Sequence, residues 1–444
     1  MSNPYGYRAS HFSRRQPGIK IAAIGTSLVQ YNSNATSTKI SNYSRGPIAW
    51  AQVKGPEFVY GVWHDTTDVN GRNFTGANHG VSGETSTQII ARLAALVAML
   101  PDIVIVDNGT NEMATDSYDT IIANSETIYK TLIDAGMQVI ILPVLARATS
   151  SWASGSETRK KAQRVNAWKR WYAAKTPACM YFDWNQPWVD PASADGEPLT
   201  GYSDDGIHEN VKGAYYIGKA LATYLTGFLP PRQPLIVGQD DDYDATYNPM
   251  GNIFPNPMMQ GTAGVEGTGA TGDTATSCRI ERSTGSAVTV VAAKETRSDN
   301  NGDWQVLTFT PSGSALERFL LRTSTADMTH SFAAGTWVQA ACDIDVAAYS
   351  GWKSIQLYLK DQGTGGVTGL ALEEYDNAGT LQPFPTEAWS GKLVTPPFQI
   401  VSGSTALRTR VEMELDGAVA GSPVIKVGSW RVSAVLDPRK VWNT

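Results

Sequence analysis

Up to about residue 235, apolar positions come in short continuous runs and in stripes of helical period. Residues 19–24 (IKIAAI), 102–107 (DIVIVD), 138–145 (QVIILPVL) and 180–184 read as buried strands. Residues 86–100 place Ile89, Ile90, Leu93, Leu96, Val97 and Leu100 on one helical stripe. Residues 118–135 do the same with Ile121, Ile122, Ile128, Leu132 and Ile133, and Gly136 ends the run. Residues 211–225 predict a further helix. Strands that lack polar alternation and alternate with helices predict a parallel sheet covered on both faces.

The pattern then changes. Residues 230–250, with Pro230, Pro231 and Pro234 before Asp240, Asp241, Asp242 and Asp244, read as a linker. Its acidic run is either a solvated turn or a set of oxygen ligands for Ca²⁺. Beyond it, residues 337–346 alternate: Val338, Ala340, Cys342, Ile344 and Val346 on one face, Gln339, Asp343 and Asp345 on the other. In residues 407–415, Leu407, Val411, Met413 and Leu415 point one way and Arg408, Arg410, Glu412 and Glu414 the other. Residues 354–360 and 424–435 are further strands. Half-buried strands in series predict an antiparallel β-sandwich. The expected organisation is a polar arm (1–18), an α/β domain (19–229), the linker (230–250) and a β-sandwich domain (251–444).

Composition narrows the function. The length of 444 residues suits two or three domains. Lys+Arg 36 against Asp+Glu 42 leaves a net charge of −6, which argues against a dedicated nucleic-acid binder. Among the apolar runs, residues 89–100 carry Arg92 and stop at Pro101, short of the roughly 20 residues that span a bilayer. Arg8, Arg14 and Arg15 are not followed by an apolar run of about 7–15 residues, so the first residues do not read as a secretory signal peptide. Cys179, Cys278 and Cys342 are widely spaced and predict free buried thiols, although a Cys278–Cys342 pair stays open.

Candidate chemistry lies in the first half, at the expected ends of strands. Ser27, in Gly25-Thr26-Ser27-Leu28, follows the first strand, where open α/β sheets place ligands. It is a candidate nucleophile or a helix cap. Asp205-Gly206-Ile207-His208 precedes the last helix. A neutral imidazole can take a hydroxyl proton, and a carboxylate three residues away can orient the ring. The alternative is a surface turn with Asp205 as a cap. Asn111, in Gly109-Thr110-Asn111-Glu112 after IVIVD, can donate to a developing oxyanion or simply make a turn. Gly83, in Gly80-Val81-Ser82-Gly83-Glu84-Thr85, can offer a backbone N–H to the same charge.

Taken together, GTSL, GVSGET, GTNE and DGIH resemble, in order, the four sequence blocks of the SGNH (GDSL-type) hydrolases, a family of esterases, lipases and carbohydrate deacetylases. The resemblance covers about the first 225 residues and implies a flavodoxin-like three-layer α/β/α domain. It makes Ser27 the nucleophile, Asp205 and His208 its partners, and Ser27, Gly83 and Asn111 the oxyanion donors. Three positions depart from the pattern: Thr26 for the usual Asp, Glu112 for Asp and Glu209 for Pro. Asp204 adjoins Asp205, and the family spacing selects Asp205. The implied reaction, acyl transfer to water, calls for no metal or organic cofactor.

Substrate residues are expected from the polar and aromatic loops: Trp63 and His64 before the second block, and Arg147, with Trp152 nearby, after QVIILPVL. Residues 252–257 (NIFPNP) and 335–338 (GTWV) resemble the start of jelly-roll carbohydrate-binding modules. Tyr358 shares a strand face with Gln356 and Lys360 and either stacks on a sugar or packs across the strand. Trp304, Trp352 and Trp389 are further sugar-stacking candidates, and Trp337 and Trp430 suit the core. The expected function is a serine esterase removing acetyl groups from an oligosaccharide or polysaccharide. With the missing signal peptide it is compatible with a phage tail deacetylase and a homo-oligomer. The alternatives are a non-catalytic binding or structural protein, and a short-chain esterase without sugar preference.

Overall fold

The first half is built on five parallel strands. A computed structural model describes residues 19–64, 76–232, 235, 237–313, 316–377 and 380–439; the polar arm 1–18 lies outside them. In chain order come β1 (Ile21–Gly25), α1 (Ser27–Gln30), β2 (Ser33–Thr36), β3 (Lys39–Tyr43), α2 (Pro47–Lys54), β4 (Asn78–Gly80), α3 (Ser86–Ala91) and α4 (Leu93–Met99). Then follow β5 (Ile103–Val106), α5 (Tyr118–Asp134), β6 (Gln138–Ile141), α6 (Glu157–Lys175), β7 (Cys179–Tyr181) and α7 (Val211–Thr226). Strand order is β4-β1-β5-β6-β7. Both β1 and β5 are buried along their whole length, as their unbroken apolar runs require. The helices pack in two groups, α2 with α7 and α3 through α6.

The predicted helix 86–100 is two helices. Arg92 breaks it with φ −118° and ψ 9°. Its guanidinium reaches back to the carbonyls of Gly25 (3.0 Å) and His79 (2.6 Å) and to the Glu84 carboxylate (2.5 Å). Three bonds at the end of β1 outweigh continuation of one helix. Sequence patterning also missed α6, whose buried stripe is made of Ala162, Val165 and Ala173 among many charges.

The second half is a β-rich region of two mostly antiparallel sheets. One runs through Thr368–Glu373, Trp352–Asp361, Ala406–Asp416, Leu316–Thr323 and Cys278–Thr284; the other through Trp389–Val394, Trp337–Val346, Val424–Ala434, Asp303–Thr310 and Thr289–Thr296. Phe309 of the second sheet meets Phe319 and Trp352 of the first at 5.2 and 5.5 Å, as in a sandwich. The face predicted inward in Trp337–Val346 is buried throughout. Cys179, Cys278 and Cys342 are buried free thiols.

The two halves share a sheet. β2 and β3 form a hairpin, and β3 pairs in parallel with Thr368–Glu373, with Lys39 opposite Thr368 and Ile40 opposite Gly369. Glu373 binds the hairpin through Asn34, Lys39 and Ser41. Trp50 of α2 packs on Trp389 (5.3 Å) and Phe384 (5.7 Å) of the β-rich half. The 230–250 segment is likewise anchored: Glu57 N–H donates to the Pro230 carbonyl, and Arg232 to that of Val53.

Candidate active site

The carboxyl ends of β1, β4 and β5 and the loop before α7 bring the four blocks together. Ser27 follows β1 directly, and its hydroxyl lies 2.8 Å from His208 Nε2. His208 Nδ1 lies 2.7 Å from Asp205 Oδ2. The other carboxylate oxygen, Oδ1, accepts the backbone N–H groups of Ile207 and His208, both at 2.8 Å. Burial raises Asp205, but these bonds from the ring and backbone outweigh it and hold the carboxyl well below the usual range. An ionised Asp205 acts as acceptor only, so the ring keeps its proton on Nδ1 and presents bare Nε2 to the Ser27 hydroxyl.

Asp204 is occupied elsewhere: it accepts from Asn210 Nδ2 at 3.1 Å at the start of α7. Gly206 makes the turn possible with φ +73°, and a Cβ there would meet the Ala148 methyl at 2.5 Å.

Thr26 accounts for one departure from the family pattern. Its hydroxyl and backbone N–H both donate to Asp107 Oδ2, at 2.5 and 3.1 Å, tying the nucleophile loop to the end of β5. Burial pushes the Asp107 carboxyl up; the Thr26 bonds and the buried Lys169 ammonium oppose it. Glu112, the second departure, accepts from the Ser86 backbone at 2.8 Å and from its hydroxyl, anchoring α3.

The Gly83 loop is clamped beside β1: Val81 N–H donates to the Gly25 carbonyl (2.9 Å) and Ser82 N–H to Gln30 Oε1 (2.6 Å). Gly83 has φ +79°, and a Cβ there would meet open space, so backbone strain, not crowding, favours glycine. Asn111 Nδ2 donates to the Glu84 carbonyl at 2.9 Å, which places its amide beside Gly83. Among the described residues the backbone N–H groups of Ser27 and Gly83 have no acceptor.

Residues 23–215 match the model of the GDSL-like Lipase/Acylhydrolase family. This part of the chain is a GDSL-like lipase/acylhydrolase domain. A GDSL-like lipase from Bacteroides thetaiotaomicron is similar at 23% identity, over 33% of this chain and 73% of its own, with a TM-score of 0.30. A carbohydrate esterase family 3 protein from Talaromyces cellulolyticus is 20% identical over 47% and 96%, with a TM-score of 0.31. An acetyl xylan esterase is 14% identical over 47% and 100%, with a TM-score of 0.34. No curated protein matches the chain.

Around the Ser27–His208–Asp205 relay the other expected residues divide. Arg147 is close: it donates to Thr110 Oγ1 (2.8 Å), stacks over Trp152 (4.9 Å), and lies within electrostatic reach of Asp107 and Asp205. Trp63 is buried against Gly76, and His64 Nε2 faces the Thr36 and Ser37 carbonyls at the β2–β3 turn (3.2 and 3.0 Å). His64 is thereby engaged at the hairpin, and Trp63 in packing beneath the surface. Tyr358 is half-buried with the Arg410 guanidinium 4.1 Å over its ring. Trp352 and Trp389 are buried in the core, which corrects their reading as sugar platforms. Arg297 covers Trp304 at 4.1 Å. Among the described residues no group of three or more His, Cys, Asp or Glu is placed to hold a metal ion. In the acidic run, Asp241 accepts from Asn248, and Asp244 from the backbone of Thr246 and Tyr247.

Sequence reasoning missed Tyr31, Arg45 and Tyr375. The Tyr31 ring packs edge-on against His208 at 5.4 Å. Arg45 and Tyr375 stand behind it and carry no local signature, because their partners lie far along the chain.

Proposed function

We propose that the protein is a serine ester hydrolase that removes small acyl groups, acetyl foremost, from a carbohydrate. The Ser27–His208–Asp205 relay carries this reading. His208 Nε2 takes the Ser27 proton as Oγ attacks the ester carbonyl, and Asp205 stabilises the imidazolium that forms. The oxyanion is received by the N–H groups of Ser27 and Gly83 and the Asn111 amide. The C–O bond to the alcohol then breaks, and His208 hands its proton to the leaving oxygen. Water repeats the cycle on the acyl-serine, releasing the carboxylate and restoring Ser27.

A polar acyl carrier is supported by what surrounds the relay: Tyr31, and Arg147 stacked on Trp152. Polar side chains of this kind bind sugars through hydrogen bonds to hydroxyls, while Trp152 lies buried beneath Arg147. A cavity of about 460 Å³ between residues 56–62 and the strand Trp389–Val394 is lined by none of the three relay residues, so the relay's chemistry defines the site.

Hydrolysis of p-nitrophenyl acetate by the wild type and not by Ser27→Ala is the expected outcome; equal rates would overturn the reading. Acetate release from acetylated xylan, chitin oligomers or bacterial O-antigen above that from simple esters tests the carbohydrate assignment. Preference for simple esters would leave a short-chain esterase.

A further inference from the structure

Arg45 joins the two halves directly behind the relay. Its side chain is buried, with the guanidinium between two aromatic rings, 4.0 Å from the centre of Tyr31 and 4.5 Å from that of Tyr375. Nε donates to the Glu209 backbone carbonyl at 2.8 Å, one residue past His208, and a terminal nitrogen donates to the Tyr375 hydroxyl at 2.7 Å. Tyr31, the ring under Arg45, is the one that touches His208. Tyr375 belongs to the β-rich half. It follows Thr368–Glu373, the strand that pairs with β3, and packs at 5.4 Å on Tyr43 of β3. Both Glu209 carboxylate oxygens are buried and accept no hydrogen bond among the described residues, so Arg45 holds this segment by its backbone and not through an ion pair.

We propose that the β-rich half is a working part of the active centre: Tyr375, acting through Arg45, holds the His208–Glu209 segment and the Tyr31 ring so that the imidazole stays on Ser27. This rests on the serine-hydrolase reading of the site. Tyr375 and Arg45 are positioning residues; neither touches the reacting atoms. His208 sits on an irregular turn, fixed otherwise by Asp205 and by the Ser203 hydroxyl on its carbonyl (2.6 Å). A guanidinium with one bond to the turn and one to the partner half transmits the partner's position to the ring. Misplacement of a catalytic group by about 1 Å costs on the order of 10²-fold in rate.

The test uses the full chain, p-nitrophenyl acetate and pH profiles for wild type, Tyr375→Phe, Arg45→Lys and Ser27→Ala. Lys219→Ala, which removes an ion pair to Glu387 across the same interface away from Arg45, serves as the control. Tyr375→Phe keeps the ring and loses only the hydroxyl. Its kcat is expected to fall about tenfold with KM little changed. The acidic limb of kcat/KM should shift by about half a pH unit, and the thermal midpoint should stay close to wild type. Arg45→Lys should act in the same direction, and Lys219→Ala should leave kcat unchanged. Wild-type kcat and pH profile in Tyr375→Phe would overturn the proposal, whatever Arg45→Lys does. So would losses that track the thermal midpoint while the pH profile stays fixed. If Ser27→Ala is as active as wild type, the serine-hydrolase reading itself has failed; if Ser27→Ala is inactive and Tyr375→Phe is normal, only the positioning role has.

Discussion

The α/β half and the β-rich half treat the same kinds of side chain in opposite ways. In the α/β half, Ser27, His208 and Asp205 stand at strand and loop ends with their polar atoms turned toward each other, Ser27 buried and His208 and Asp205 partly open to solvent. In the β-rich half, polar residues on the outward faces are consumed by one another. Arg318 pairs with Glu374 and Glu414, Arg297 with Asp299 and Asp343, and Arg410 covers Tyr358. Glu412, Glu414 and Asp343, outward by alternation, are nevertheless buried beneath their partners. Pointing away from a core is therefore not the same as being available to a ligand. Availability requires that no neighbour already satisfy the group.

The sharpest test of that contrast is at the relay. Asp205→Asn should lower kcat about 10⁴-fold at neutral pH, because the amide no longer fixes the tautomer of His208. Asp204→Asn, one residue away but directed at Asn210, should cost less than about threefold. Comparable losses in steady-state kinetics would refute the assignment.

Next in size, Asn111→Ala should reduce kcat by about 10²–10³ with a smaller change in KM, as one oxyanion donor is lost. A loss confined to KM would instead make Asn111 a ground-state binding group.

A smaller effect should be seen in stability. Burial pushes the Glu209 carboxyl from its ordinary 4.5 up to about 8, against the pull of Arg45. Across that interval the folded chain retains a proton that the unfolded chain has released. Stability therefore falls as pH rises from about 4.5 to about 8 and levels off above it. Glu209→Gln should flatten this slope and gain on the order of a few kcal/mol over wild type at pH 9 relative to pH 5, read from urea unfolding at both. An unchanged slope would show that Glu209 ionises freely.

Smallest of all, Tyr358→Ala should leave acetate release and polysaccharide retention within about twofold and stability within about 1 kcal/mol. Loss of retention would mean that Arg410 yields the ring to a sugar, and that the β-rich half is not spent after all.

Much of the site was legible because its decisive elements are short. Only two residues separate Asp205 from His208, and one hydrogen-bonded turn of that length suffices to pair them, whatever surrounds it. Gly83 and Asn111 likewise sit in turns whose composition announces them. The parallel strands were readable from unbroken apolar runs, and the alternating strands from their period. The hairpin of β2 and β3 was not: SNAT and KISNY carry no clear alternation, and the strand on which β3 docks lies more than 300 residues away.

Local pattern thus determined the buried strands, the alternating strands and the residues proposed to react, since period and turn chemistry act over a few residues. Only tertiary structure decided that the two halves share a sheet, that Trp389 belongs to an interface, and that Arg45 and Tyr375 stand behind His208. Those contacts depend on shape and distance between segments, which no stretch of sequence encodes by itself.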